Sequence, residues 1–496
     1  MTVGTIMYMA SPLPYLFWDT EVNNLNSKKN FTEGPIFWRI TLFALPIMLT
    51  GVLQICYGMA DNIVVGKFSG DPLALAAVGC TSTFSNLVIN LLLGLAAGTG
   101  IVVAQCYGAK EHKLVSRGVH TAIIVALVGG ILFMTVGLII CRPVLVLLGT
   151  KPELIDKSTL YLSIIFMGIP GNAVYNFGAA ILRSTGDSKT PLLILSTAGL
   201  INVGLNLVFV IGCKMTVEGV AIATISSQYI SAAAVLTALS MKRGECYAFS
   251  FKKLCFDKRM FSRIMRYGVP SGLQSAMFSI SNMLMTGAVN TFPTTTITAN
   301  TIASNIDAIT YTSMNSFTQA SMTFVGQNYG ARNHNRIKKS FIYCILQVFV
   351  IGVLVAGLEL ILSGPLISLF VDEADPNAAI ITERTVEIIT LLLSTYVICG
   401  VMDVTAGAIR GLGYALSPMF INVFCICVMR VIWIYVFFPM ERLHTITGLY
   451  LAYPITWTAS LIAMLTAFIL VYRGISRRFG DEKGELSETE NRFSKA

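Results

Sequence analysis

Ionisable side chains are scarce inside the apolar stretches of this 496-residue chain, and those few set the chemistry it can do. Asp61 shares a helical face with Gln54 and Tyr57, a polar stripe on an otherwise apolar segment. An acid facing the inside of a membrane bundle is costly to place and functional by default. Desolvation disfavours its charged form, so it can trade a proton for a cation. The other reading is a carboxyl hydrogen-bonded to a neighbour for packing alone. Asp403 lies seven residues before Arg410, as Asn176 lies seven before Arg183. Arg430 is read as the one basic residue deep in an apolar stretch. It needs an anion or backbone carbonyls, and Asp403 is a candidate partner, as a structural ion pair or as part of a working site. Asn202 and Asn206 sit one turn apart on a shared face, where amides also serve simply to bond helices.

Other chemistry is poorly represented. His112, His120, His334 and His444 fall in loops or at helix ends, with no H-E-x-x-H, G-x-S-x-G or phosphate-cradling loop. The eleven cysteines are scattered, with no metal-ligand or disulfide spacing. An enzyme, a resident cofactor and direct use of ATP are therefore not expected.

The elements that position the acids follow from composition. Hydrophobic residues make up 54% of the chain and charged residues 12%, against about 25% charged in soluble domains. Apolar runs long enough to cross a bilayer separate short charged islands. An all-α membrane protein follows, with spans near 37–65, 74–105, 118–141, 158–182, 191–212, 218–241, 262–290, 298–326, 340–363, 384–409, 418–438 and 447–472. Met1 to Trp18 lacks the apolar core of a cleavable signal peptide. The net charge of +9 resides in alternate loops: Lys28 and Lys29; Lys110, Lys113 and Arg117; Arg183 and Lys189; Lys242 to Arg266; Arg332 to Lys339; and Arg473 to Lys495. Opposite loops are short or acidic, as at Asp372, Glu373 and Asp375. Both termini are thus expected in the cytoplasm of a multi-pass cell-membrane protein. No basic stripe interleaved with aromatics points to nucleic acid. Lipids are the expected surroundings, and a monomer the expected state.

The chain also repeats itself. Gln105-Cys106-Tyr107-Gly108-Ala109-Lys110 recurs as Gln327-Asn328-Tyr329-Gly330-Ala331-Arg332, an offset of 327−105=222. Ile181-Leu182-Arg183 with Gly186 and Pro191 recurs as Ala408-Ile409-Arg410 with Gly413 and Pro418, an offset of 410−183=227. Pro46 and Pro270 open the first helix of each half. Gly108 and Gly330 suit a left-handed helix end, and Pro191 and Pro418 suit the first turn after a capping Thr190 or Ser417. The predicted organisation is a segment 1–36, a six-helix lobe 37–241, a linker 242–261, a second six-helix lobe 262–473 and a tail 474–496. Six spans per half make the lobes parallel repeats, a transporter architecture. The linker alternates Phe249, Phe251 and Phe256 with Lys252, Lys253 and Lys258, as a segment on an anionic membrane face or a plain solvated connection would.

These residues resemble the multidrug and toxic compound extrusion family from Phe37 to about Arg473. The likeness rests on Tyr57-Gly58-Met59-Ala60-Asp61-Asn62, Asn202-Val203-Gly204-Leu205-Asn206, Gly219-Val220-Ala221-Ile222-Ala223-Thr224 and Met402-Asp403-Val404-Thr405-Ala406-Gly407-Ala408-Ile409-Arg410-Gly411. The resemblance implies two lobes exporting cationic, often aromatic compounds against inward Na⁺ or H⁺. It places Asp61, Asn202 and Thr224 on the amino-lobe ion site, with Asn206 where many members have Asp. It places Asp403 on a carboxy-lobe site whose usual seventh-helix acid is absent. Gln274, Ser279 and Asn282 are the polar residues there. The expectation is an amino lobe that responds to protons, with any Na⁺ dependence tracing to Asp403. The alternative is a flippase for lipid-linked sugars, which needs several basic residues in its cavity.

Overall fold

The computed structural model describes residues 30–68, 73–371 and 376–493, except the side chains of 67, 75, 83 and those from 480 on. The expectations for Met1 to Trp18, Lys28, Lys29, Asp372, Glu373, Asp375 and the end of the tail lie outside the described residues. Among those described, twelve long helices form the bundle. The first lobe holds α1 Ile36–Phe68, α2 Ala74–Gly108, α3 His112–Leu147, α4 Pro152–Ser184, α5 Lys189–Gly212 and α6 Val217–Met241. The second holds α7 Lys258–Val289, α8 Thr294–Gly330, α9 His334–Ile361, α10 Ala378–Gly411, α11 Leu416–Phe437 and α12 Ile446–Phe479. Each predicted span falls on one of them. Ten are long and apolar enough to cross a membrane by length and composition. The other two, α7 and α8, are as long, with 32 and 37 residues, but carry Ser, Thr, Asn and Gln along much of their length. They are polar because they wall a cavity.

The lobes meet where α2 packs on α7 and α1 on α8. A β-carbon on Gly94 would stand 2.2 Å from Gly272 Cα, and one on Gly98 would stand 2.4 Å from Gly268 N. Two small-x-x-x-small motifs, Gly94/Gly98 and Gly268/Gly272, thus let these backbones touch, the usual device for close helix packing in membranes.

The repeated motif does not end its helices as predicted. Gly108 and Gly330 are still helical, and the left-handed positions belong to Lys110 (φ 58°) and Arg332 (φ 53°). The glycines serve approach instead. A β-carbon on Gly108 would lie 1.9 Å from Gln327 O, and one on Gly330 would lie 1.9 Å from Gln105 O. Gln105 Nε2 donates to Gly411 O (2.9 Å) across the lobes, and Gln327 Nε2 donates to Ser184 O (2.7 Å) in return. Because 184+227=411, these bonds are pseudo-symmetric copies of each other. Each caps a buried carbonyl near a helix end that would otherwise lack a partner.

Two proline expectations also change. Pro46 and Pro270 lie inside α1 and α7, about three turns in, rather than opening them. Thr50 Oγ1 donates to Pro46 O (2.7 Å). Pro191 and Pro418 follow two helical residues rather than a cap. Their missing N–H is still among the first four, which have no helical partner. Asp187 accepts from Thr190 N (3.0 Å) and does the capping.

The linker is folded, not merely solvated. Tyr247 and Phe249 are buried, and Phe249 stacks on His120. His120 lies buried in α3 rather than at a helix end, and its Nε2 accepts from Ser250 N (3.2 Å). Phe251, Leu254 and Phe256 stay exposed. Residues 30–34 are pinned to the second lobe: Phe31 stacks on Phe324, its N–H reaches Gln327 Oε1 (2.9 Å), and Arg336 binds the Phe31, Glu33 and Gly34 carbonyls.

Candidate functional site

The first lobe gathers its polar groups around one acid. Asn206 Nδ2 donates to Asp61 Oδ1 at 2.5 Å. Thr224 of α6 lies beside the same carboxyl. Asn202 Nδ2 reaches Thr224 Oγ1 and Asn206 Nδ2 reaches Asn202 Oδ1, both at 3.4 Å. The amides are held because they lie one turn apart on the buried face of α5, with Asn206 fully enclosed. Tyr161 of α4 stands close enough to feel the Asp61 charge, a neighbour that sequence spacing could not reveal. The rest of the α1 stripe does not join. Tyr57 OH donates to Ser196 O (3.1 Å), and its ring fills the space over Gly199, so it fastens α1 to α5. Gln54 is exposed and makes none of the cluster's hydrogen bonds among the described residues.

The second lobe encloses space. A cavity of about 420 Å³ lies among α7, α8, α10 and the start of α12, with Asn90 of α2 at its edge. Two carboxyls, Asp307 and Asp403, face it together with Tyr311, Tyr396, Tyr450, Tyr453 and Trp457. Gln274 and Asn282 also line it. Arg410 reaches Gln274 Oε1 (3.1 Å) and is the positive charge that acts on Asp403.

Arg430 does not pair with Asp403. Its Nη1 donates to Asn282 Oδ1 (2.9 Å) and its guanidinium lies 4.2 Å over the Tyr453 ring. Its partners are thus an amide of α7 and an aromatic face of α12, with Cys399 of α10 also near. Arg430 is 1% exposed, yet not alone as an intramembrane cation, since Arg410 lines the cavity. Asn176, equivalent to Asp403 in the repeat, bonds Asn172 on its own helix (2.9 Å to O) and meets no acid among the described residues.

Two acids escaped the sequence reading. Asp307 on α8 accepts from Tyr396 OH (3.1 Å), and Glu359 on α9 accepts from Thr310 Oγ1 (2.8 Å). The available indication was their position inside predicted spans 298–326 and 340–363, the same ground on which Asp61 was chosen.

Comparison with known proteins bears on this geometry. The MatE family profile matches residues 46–208 and 270–436. "Probable multidrug resistance protein YoeA" of Bacillus subtilis is 27% identical over 449 residues, covering 88% of this chain and 95% of its own. "Probable multidrug resistance protein NorM" of Thermotoga maritima is 25% identical over 389 residues, covering 76% of this chain and 81% of its own. Among solved structures, the outward-facing conformation of a multidrug resistance MATE family transporter of the MOP superfamily superposes with a TM-score of 0.81 at 21% identity, covering 90% of this chain and 98% of that one. That last match is one of fold.

Proposed function

The chain belongs to the MatE family, and from that premise we propose that it exports small organic cations in exchange for protons entering the cell. It is a multi-pass membrane transporter and not an enzyme. Relatives named for multidrug resistance support small organic substrates. The observation that carries the cationic reading is the second-lobe cavity, where Asp307 and Asp403 sit among Tyr396, Tyr450, Tyr453 and Trp457. Its volume suits a drug-sized ligand, for which a few polar groups in an aromatic wall fix orientation. A carboxylate neutralises the cation, and aromatic faces attract it by about 0.5–2 kcal/mol each. A pyrophosphate would instead meet two acids against Arg410, which disfavours the flippase.

Antiport needs the ion and the substrate to be alternatives. Asp61 meets amides and a hydroxyl rather than a second acid, which suits one proton better than a tightly held Na⁺. Any Na⁺ dependence belongs to Asp403. The working location is the cell membrane, with the basic loops and both termini in the cytoplasm and the chain acting as a monomer. Efflux of a fluorescent cation from energised vesicles, with pH and Na⁺ gradients imposed separately, tests this. The pH gradient alone should drive export, and Asp61→Asn should stop uphill export while leaving cation binding measurable. Export driven by Na⁺ alone, or full pumping by Asp61→Asn, would refute the proton assignment. Absence of cation export under either gradient would refute the substrate class.

A further inference from the structure

Glu359 is an acid inside the bundle that the reading above leaves without a task. It is 5% exposed; one oxygen accepts from Thr310, and the other, Oε1, is buried with no hydrogen-bond partner. A buried carboxylate oxygen left unsatisfied is expensive, and carboxyls in such places normally carry a proton or hold a cation. Thr310 lies one turn from Asp307 on α8, so the hydroxyl that bonds Glu359 stands beside the acid that faces the cavity. Asp307 is near enough for its charge to act on Glu359.

The groups around this pair are acidic or phenolic. α9 contributes Glu359, α10 contributes Tyr396 and Cys399, and the start of α12 contributes Tyr450 and Tyr453. Asp403 of α10 faces the same cavity. Arg410 acts on Asp403, and Arg430 acts on Tyr453 and Cys399, but neither acts on the pair. No basic side chain among the described residues balances two ionised carboxylates there.

Among the described residues the first lobe has nothing comparable. The equivalents are Ser85 (307−222) and Gly137 (359−222), and the Phe166 ring occupies the space over Gly137. The pair is thus specific to the lobe that carries the cavity.

We propose that Asp307 and Glu359 form a proton-binding pair of the second lobe, distinct from Asp61, and that each cation entering the cavity displaces one proton from it. The O–H bond of one carboxyl breaks, its proton goes to water, and the carboxylate left on Asp307 neutralises the incoming cation. One positive charge replaces another, and nothing is oxidised or reduced. Glu359 does not line the cavity. Its task is to share the pair's proton with Asp307, so it is a positioning and proton-holding residue rather than a substrate contact.

This rests on the proposed cation export, so the test has one arm that needs no substrate. In the reconstituted full chain, infrared difference spectra recorded across pH resolve carboxyl C=O bands. Glu359→Gln keeps the Thr310 bond and should remove one titrating band while changing the titration of the Asp307 band, identified by its loss in Asp307→Asn. If no band titrates with Glu359, or the Asp307 band is indifferent to Glu359→Gln, the pair is overturned even if export holds. So is it if Na⁺ at fixed pH, rather than protons, removes the Glu359 band.

The second arm adds tetraphenylphosphonium to purified protein in weak buffer. Wild type should release protons on binding, and Glu359→Gln should still bind but release about tenfold fewer. Release equal to wild type overturns the proposal. Should wild type bind no organic cation, the export reading falls, while the infrared arm still decides the pair. Thr310→Val serves as a second variant, expected to shift the Glu359 band without removing it; an unshifted band also counts against the pair.

Discussion

Where the first lobe has Phe166, Ile169, Asn172 and Asn176, the second has Leu393, Tyr396, Cys399 and Asp403 at positions 227 residues on. The backbones around them are alike, down to left-handed turns at Lys110 and Arg332 and at Gly186 (φ 95°) and Gly413 (φ 90°). The enclosed spaces are not. The pocket lined by Phe166, Ile169 and Asn172 amounts to about 10 Å³, against about 420 Å³ for its counterpart. A duplicated scaffold can keep its helix crossings while side-chain volume and charge change freely within. The first lobe is packed around one acid held by amides, and the second is hollow, acidic and aromatic.

Six substitutions break or sharpen that comparison. The largest effect should come from the shared scaffold. Gly108→Val and Gly330→Val each force a side chain into a backbone carbonyl, a cost of about 3 kcal/mol or more. Both should abolish monodisperse protein in detergent chromatography, and to the same degree. A large difference between them would mean that the crossing is not symmetric.

Asp403→Asn should then cut export at least about tenfold, measured in vesicles, while expression and thermal stability hold. Asn176→Ala at the equivalent site should leave export near wild type. Because Arg430 is held by Asn282 and Tyr453, Arg430→Ala should not rescue Asp403→Asn. Rescue would restore the ion-pair reading.

Arg430→Ala alone should destabilise the protein by about 2 kcal/mol through loss of a desolvated cation–aromatic contact, seen as a lower thermal midpoint. The smallest effect concerns the linker. The Met260 and Arg259 amides, with Arg117 beside them, hold the Asp257 carboxyl below the usual carboxylate range. Its contribution is therefore present above the ordinary carboxylate range and lost as pH falls through the lowered value. Hydrogen exchange at the start of α7 should rise on acidification and, at neutral pH, in Asp257→Asn.

The helices were legible because a bilayer demands long apolar runs, and the repeat because Gln-x-Tyr-Gly-Ala-Lys/Arg is rare enough to find twice. The Asp61 cluster was legible in part: one-turn spacing puts Asn202 and Asn206 on a shared face, whereas bringing Asp61 and Thr224 to them rested on the family resemblance. The cavity was not. Its walls come from four helices, and the polarity of α7 and α8 has a purpose only once their neighbours are placed. Nothing in the sequence singles out Tyr396 and Tyr453, and Arg430, for which Asp403 was one candidate partner, meets Asn282 and Tyr453 instead. Gly108 and Gly330 were misjudged for a related reason. Their smallness answers to the opposite lobe, not to the local turn.

The division between a coupling lobe and a binding lobe is tested most directly by titrating purified protein with tetraphenylphosphonium, comparing Asp61→Asn with Asp307→Asn in the same membrane mimic. If the account holds, Asp61→Asn binds within about threefold of wild type, whereas Asp307→Asn weakens binding at least about tenfold. Binding lost in Asp61→Asn and retained in Asp307→Asn would place the substrate in the first lobe and contradict it.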